Sequence, residues 1–220
     1  DIIWDIIKVG LPASLSMIVM AVGQGVFNKI LVHISVNTVA AYQVAGRLDM
    51  LVFLPIFSIA ASLTTLVGMF YGAKEYRALR YIIKYGIFSA LLITIISSTI
   101  VYTFAGHVVR FFTDDASIVI IAVNFLQIFA FAYPFISVGI TTGRVLQGLG
   151  KGLPVLIITI VRVLGVSAPL ALFFVFIMNK TVEWVWYSMM LSTIVAFGIG
   201  LTWLISTLKI LPTSGQSLNN

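Results

Sequence analysis

Leu91-Leu92-Ile93-Thr94-Ile95-Ile96 is apolar on consecutive positions, not on alternate ones. A strand of a membrane barrel alternates over about ten residues, one face to lipid and one to the lumen, so this run reads as a helix that is greasy all round. It lies in one of six long apolar stretches, at roughly 9–34, 38–70, 78–105, 117–146, 153–177 and 183–208, each longer than the ~20 helical residues that cross a hydrocarbon core. Composition agrees: 60% of the 220 residues are hydrophobic, 9% are charged and the mean hydropathy is +1.13. Soluble domains hold about 25% charged residues. The expected fold is all-α, a polytopic integral membrane six-helix bundle over 1–210, with 211–220 as a polar cytoplasmic tail.

The first stretch lacks a short apolar core ending in a small-residue cleavage site, so no cleavable leader is expected. The chain opens at Asp1 without an initiator methionine, which is read as a sign of a further upstream segment. Zero cysteines exclude disulfides and thiol chemistry. The densest basic cluster, Lys74, Arg77, Arg80 and Lys84, lies between the second and third stretches and is expected to be cytoplasmic. Alternating from there puts Lys8, Arg144, Lys151 and Lys209 on the same side, and Arg110 and Lys180 on the other. Both ends are then cytoplasmic, and the net charge of +6 is a topology signal, not a nucleic-acid patch. On the outer side, Asp114 and Asp115 with Arg110 and His107 read as a solvated loop with a helix-starting Asp, too isolated to hold a metal.

Pro12 and Pro154 stand at starts of stretches, where a missing N–H costs little. Pro55, Pro134 and Pro169 lie well inside, where each removes a helix hydrogen bond and is expected to kink its helix as a hinge. Gly68-xxx-Gly72 and Gly139-xxx-Gly143 place small faces on the second and fourth stretches, for packing within the bundle or between copies.

Arg47, Asp49 and Arg162 are each about ten residues from the end of a stretch, and are expected near mid-membrane as a charge network. Arg47 and Asp49 diverge by about 200° around one helix, so each needs a partner elsewhere, and Arg162 is one candidate for Asp49. Lys29 lies nearer the outer end and can snorkel. Uncharged polar residues fall in two stripes: Asn124, Gln127, Pro134 and Thr141 on the fourth stretch, and Ser14, Gln24 and Asn28 on the first. They either face one cavity or make interhelical hydrogen bonds. His33 and His107 are far apart, no HExxH, GxSxG or phosphate-cradling loop occurs, and no enzyme activity, cofactor or metal is expected.

Gly10-Leu11-Pro12-Ala13-Ser14-Leu15, Val39 to Arg47 (Val-Ala-Ala-Tyr-Gln-Val-Ala-Gly-Arg), Leu54-Pro55, Leu66-Val67-Gly68 and Tyr71-Gly72-Ala73-Lys74 resemble motifs of the multidrug and toxic compound extrusion (MATE) transporters. Phe111-Phe112-Thr113-Asp114-Asp115, Tyr133-Pro134-Phe135, Leu146-Gln147-Gly148-Leu149-Gly150, and Arg162 with Pro169 continue the resemblance along essentially the whole chain. It implies the second six-helix lobe of a twelve-helix transporter, with the first lobe as partner. It also implies secondary active efflux of organic cations and other amphipathic compounds by alternating access, driven by inward Na+ or H+, in a prokaryotic cytoplasmic membrane. Sodium-linked members carry acidic residues on the first and fourth helices of this lobe. Here 20–24 and 124–133 hold none, so the coupling ion is expected in the other lobe. Gln24, Asn28, Asn124, Gln127, Tyr133 and Thr141 are then substrate or cavity candidates. The nearest alternative is a flippase for lipid-linked oligosaccharide, favoured if Arg47 and Arg162 face the lumen. An alternative of another class is a non-transporting membrane assembly subunit.

Overall fold

Each apolar stretch becomes a helix because only a helix satisfies its backbone within one segment in hydrocarbon. The computed structural model describes residues 2–212, which form six membrane-length rods. They are α1 (Ile2–Ile34), α2 (Val36–Gly72), α3 (Tyr76–Arg110), α4 (Ala116–Gly148), α5 (Leu153–Ile177) and α6 (Glu183–Ile210). Most of the expected 211–220 tail, from 213 on, lies outside the described residues, as does Asp1.

The connections are short and chemically marked. Ser35 alone links α1 to α2, in extended backbone, and its hydroxyl accepts the Thr38 N–H at 3.1 Å. Lys74 turns the chain between α2 and α3 at φ 59°, and Asp115 caps α4 by accepting from Ser117 N at 2.8 Å. α4 is the centre of the bundle, packed on α2, α3 and α6; α5 lies against α6 and α1, and α1 touches α2 more lightly. At the α1–α2 link end the core is aromatic, with Phe125, Phe129 and Trp186 buried. At the opposite end it is aliphatic, around Leu63, Val67, Leu79 and Leu146.

The tightest helix approaches fall on glycines outside the two GxxxG motifs. A Cβ on Gly148 would sit 2.6 Å from the Thr64 carbonyl, whereas Gly72 and Gly139 have nothing within 4 Å. A Cβ on Gly68 would lie 3.5 Å from the Gly148 carbonyl, an ordinary contact, so α2 and α4 approach there with a glycine on each helix. The same end is stapled by Arg80, whose guanidinium donates to the carbonyls of Leu208 at 2.8 Å and Leu211 at 2.9 Å. This ties the start of α3 to the end of α6.

The interior prolines are accommodated in different ways. α2 and α4 run as helices through Pro55 and Pro134. Pro134 cannot donate to the carbonyl of Ala130, and the Ser98 hydroxyl of α3 donates to that carbonyl instead. α5 changes register: π-helical turns span Val161–Ser167 and Phe173–Ile177, on both sides of Pro169. The Ala168 N–H reaches back five residues to Val163, a wide turn beside a ring that would collide with the carbonyl four residues earlier.

Candidate functional site

α1 to α4 are 33 to 37 residues long. At 1.5 Å per residue that is about 50–55 Å, against a hydrocarbon core of about 30 Å. Ten residues from an end is therefore close to the edge of the apolar layer. Arg47 and Asp49, expected near mid-membrane, stand about a turn inside that edge on the α1–α2 link side, because α2 overshoots the core. Arg162 belongs to the 25-residue α5 and remains at depth.

Asn28 and Gln43 join α1 to α2: the Gln43 Nε2 donates to the Asn28 Oδ1 at 3.2 Å. One helical turn further from the Ser35 link on each rod stand Gln24 and Arg47, both exposed and neither hydrogen-bonded among the described residues. Antiparallel register thus builds a polar ladder along the α1–α2 seam, with one rung closed and the next open. The exposed face of α3 is a contrast: Phe88, Leu92, Ile95, Ile96 and Ile100 form an apolar strip in which the exposed Thr99 hydroxyl is tied to its own helix.

Asp49 points to the other side of α2, where the buried phenol of Tyr133 on α4 donates to its carboxylate. That donor supplies what the sequence reading sought from Arg162. Tyr42 lies within electrostatic reach of both Asp49 and Arg162. Arg162 is half-buried on the first π-helical turn.

Several cavity candidates occupy other places. Thr141 is buried and donates to the Ser137 carbonyl of its own helix at 2.9 Å, so it is a core residue. Tyr133 is likewise wholly buried. The amide oxygen of Asn124 is buried without a partner. Gln127 is exposed, on the face that carries Phe131 toward Tyr102 of α3. α1 packs on α2 and α5, whereas α4 packs mainly on α2, α3 and α6, so the α1 and α4 stripes belong to helices that are not close neighbours. Pro55 and Pro169 are exposed and Pro134 is half-buried. A crevice of about 120 Å³ between α2, α3 and α4 is lined by Leu48, Val52, Val101, Ala105, Leu126 and similar residues, and offers no polar recognition. Gln43 and Ser98 were missed in the sequence. Gln43 shares an i, i+4 face with Arg47, a legible signal, whereas nothing in the sequence pairs Ser98 with Ala130.

Six membrane-length helices, a polar seam on one face and an apolar face elsewhere define the class: an integral membrane protein built as one helical lobe. The MatE family model matches residues 12–173, and the chain belongs to the MATE family. It is 28% identical over 167 residues to a probable multidrug resistance protein NorM of Thermotoga maritima, covering 76% of the chain and 36% of that protein. It is 28% identical over 152 residues to the multidrug export protein MepA of Staphylococcus aureus, covering 69% and 34%. Among solved structures, an outward-facing multidrug resistance MATE family transporter of the MOP superfamily superposes with a TM-score of 0.86 at 28% identity, covering 95% of the chain and 47% of that structure. A MOP superfamily transporter of Pyrococcus furiosus, described as having a binding pocket of reverse polarity, gives 0.85 at 29%, again with 95% and 47% covered. The chain thus spans about half the length of these solved relatives and about a third of the curated ones.

Proposed function

We propose that this chain is one of two lobes of a secondary active exporter that moves organic cations and other small amphipathic molecules outward by alternating access. Inward flow of Na+ or H+ drives it, and the coupling ion binds in the other lobe. The membrane is a prokaryotic cytoplasmic one, with both ends of the chain on the cytoplasmic side, where Lys74, Arg77 and Lys84 lie. The observation that carries the reading is the α1–α2 seam. Gln24 and Arg47 are exposed together just inside the edge of the apolar layer, on opposite sides of one seam, and such a polar pair suits a wet cleft between lobes better than lipid. Names of relatives at 28% identity support the efflux class.

Cells producing the intact protein should accumulate less ethidium than cells without it, and collapsing the ion gradient should restore accumulation. Unchanged retention across a broad panel of organic cations would refute the proposal. Ionophores selective for Na+ or H+ identify the driving ion. Translocation of lipid-linked oligosaccharide is a second reading, favoured by the exposure of Arg47; it predicts exchange of such lipids between leaflets with no effect on ethidium.

A further inference from the structure

We propose that the open rung of the α1–α2 ladder, Gln24 opposite Arg47, binds the oxyanion end of an amphipathic molecule, a carboxylate, sulfonate or phosphate. The inference rests on the seam facing the transport cleft, and it adds a substrate chemistry that efflux of cations alone does not require.

Charge makes the argument. Of the seven acidic residues, Asp49 is the one inside an apolar stretch of the sequence; Asp5, Glu75, Asp114, Asp115 and Glu183 stand near helix ends or in the links, and Asp1 lies outside the described residues. Asp49 is turned to Tyr133 on the far side of α2, and among the described residues no carboxylate is paired with Arg47. Lys29, one residue beyond the closed rung, adds a second exposed cation at the mouth. The closed rung, 3.2 Å from Gln43 Nε2 to Asn28 Oδ1, shows the two helices at side-chain reach. One turn deeper the Arg47 guanidinium keeps its fork of N–H donors free, and the Gln24 amide contributes an N–H from the opposite wall. A planar fork plus one amide donor matches an oxyanion with two or three acceptor oxygens. Partial desolvation at the edge of the apolar layer strengthens such charge-assisted bonds over those in bulk water. The apolar remainder of the ligand lies against exposed Met20 and Met50, whose flexible thioethers fit varied shapes.

The test uses the intact protein in phosphatidylcholine nanodiscs and a matched pair of small probes, phenylphosphonate and benzyltrimethylammonium. Intrinsic tryptophan fluorescence reads the unfolding midpoint against probe concentration. Phenylphosphonate should raise the midpoint of the wild-type protein, and Arg47→Gln should weaken its apparent affinity at least tenfold. Arg47→Lys should fall between them, because it keeps the charge and loses the fork. Gln24→Ala, with no charge altered, should also weaken it, while benzyltrimethylammonium is indifferent to either position. Replacing part of the phosphatidylcholine with phosphatidylglycerol separates the sources. Competition with phenylphosphonate identifies a lipid headgroup as the occupant, and its absence identifies a soluble amphipath. Phenylphosphonate affinity that is unmeasurable, or equal in wild type, Arg47→Gln and Gln24→Ala, overturns the proposal. Ethidium export by the same proteins keeps the two readings apart: export without Arg47-dependent phosphonate binding sinks the site alone, and such binding without any export sinks the exporter alone.

Discussion

At the level of single residues, the hydrogen bond from Tyr133 holds the Asp49 carboxylate inside the lobe, on the side of α2 that helix geometry already turns away from Arg47. Tyr133→Phe removes the donor and strands a carboxylate in the interior, at a cost of about 1–3 kcal/mol. Thermal unfolding of the purified protein should show that loss. Asp49→Asn should cost less, and adding Tyr133→Phe to it should bring little further loss, because the pair acts as a unit. Independent, additive losses would mean that the bond contributes nothing. Asp49, Arg162 and Tyr133 were each legible as unusual from the sequence, since charge and proline context mark them within apolar runs. Their pairing was not, because the 84 residues between Asp49 and Tyr133 erase any local spacing rule.

Among the helices, proline and glycine positions read differently from their roles. Pro134 stands out in any reading as a breaker, yet α4 continues because Ser98 of α3 occupies the freed carbonyl of Ala130. Ser98→Ala should leave that carbonyl unsatisfied and raise amide exchange in α4 around Pro134, with the rest of α4 unaffected. Pro134→Ala should slow transport more than it lowers abundance, whereas equal loss of both would make the proline a packing residue. Helix contacts at the far end allow a paired comparison. Gly148→Ala drives a methyl to 2.6 Å from the Thr64 carbonyl, a rigid backbone atom, and overpacking of this kind costs about 1–3 kcal/mol. Gly86→Ala meets the Leu63 side chain at 2.6 Å, which can rotate away, so its unfolding midpoint should fall less. Helix number and type were readable because continuous apolarity admits no other backbone in lipid. The π-helical register of α5 was hidden, since Pro169 announces a disturbance without saying on which side the ladder slips.

For the molecule as a whole, the two exposed faces make opposite demands. The strip from Phe88 to Ile100 on α3 suits lipid, and the Gln24–Arg47 seam suits water. This chain holds no cysteine, so an intact protein cleared of any cysteine elsewhere allows a clean test in intact cells. Gln24→Cys and Arg47→Cys in the intact protein should react with a membrane-impermeant thiol reagent, and Leu92→Cys and Ile96→Cys should not. Equal protection of all four would place the seam in lipid or in a sealed contact. Membership of the family follows from short motifs spread along the whole chain, but the side of the lobe that meets a partner does not. Helical wheels show the α1 and α4 polar stripes but carry no information on which rods are neighbours, so a shared cavity and separate interhelical bonds read alike in the sequence. The clamp of Arg80 on the last carbonyls of α6 has a mechanical implication. With these ends of α3 and α6 riveted together across 128 residues of sequence, that half of the lobe behaves as a stiff lever, and flexing is left to the loosely joined α1 and the register-shifted α5.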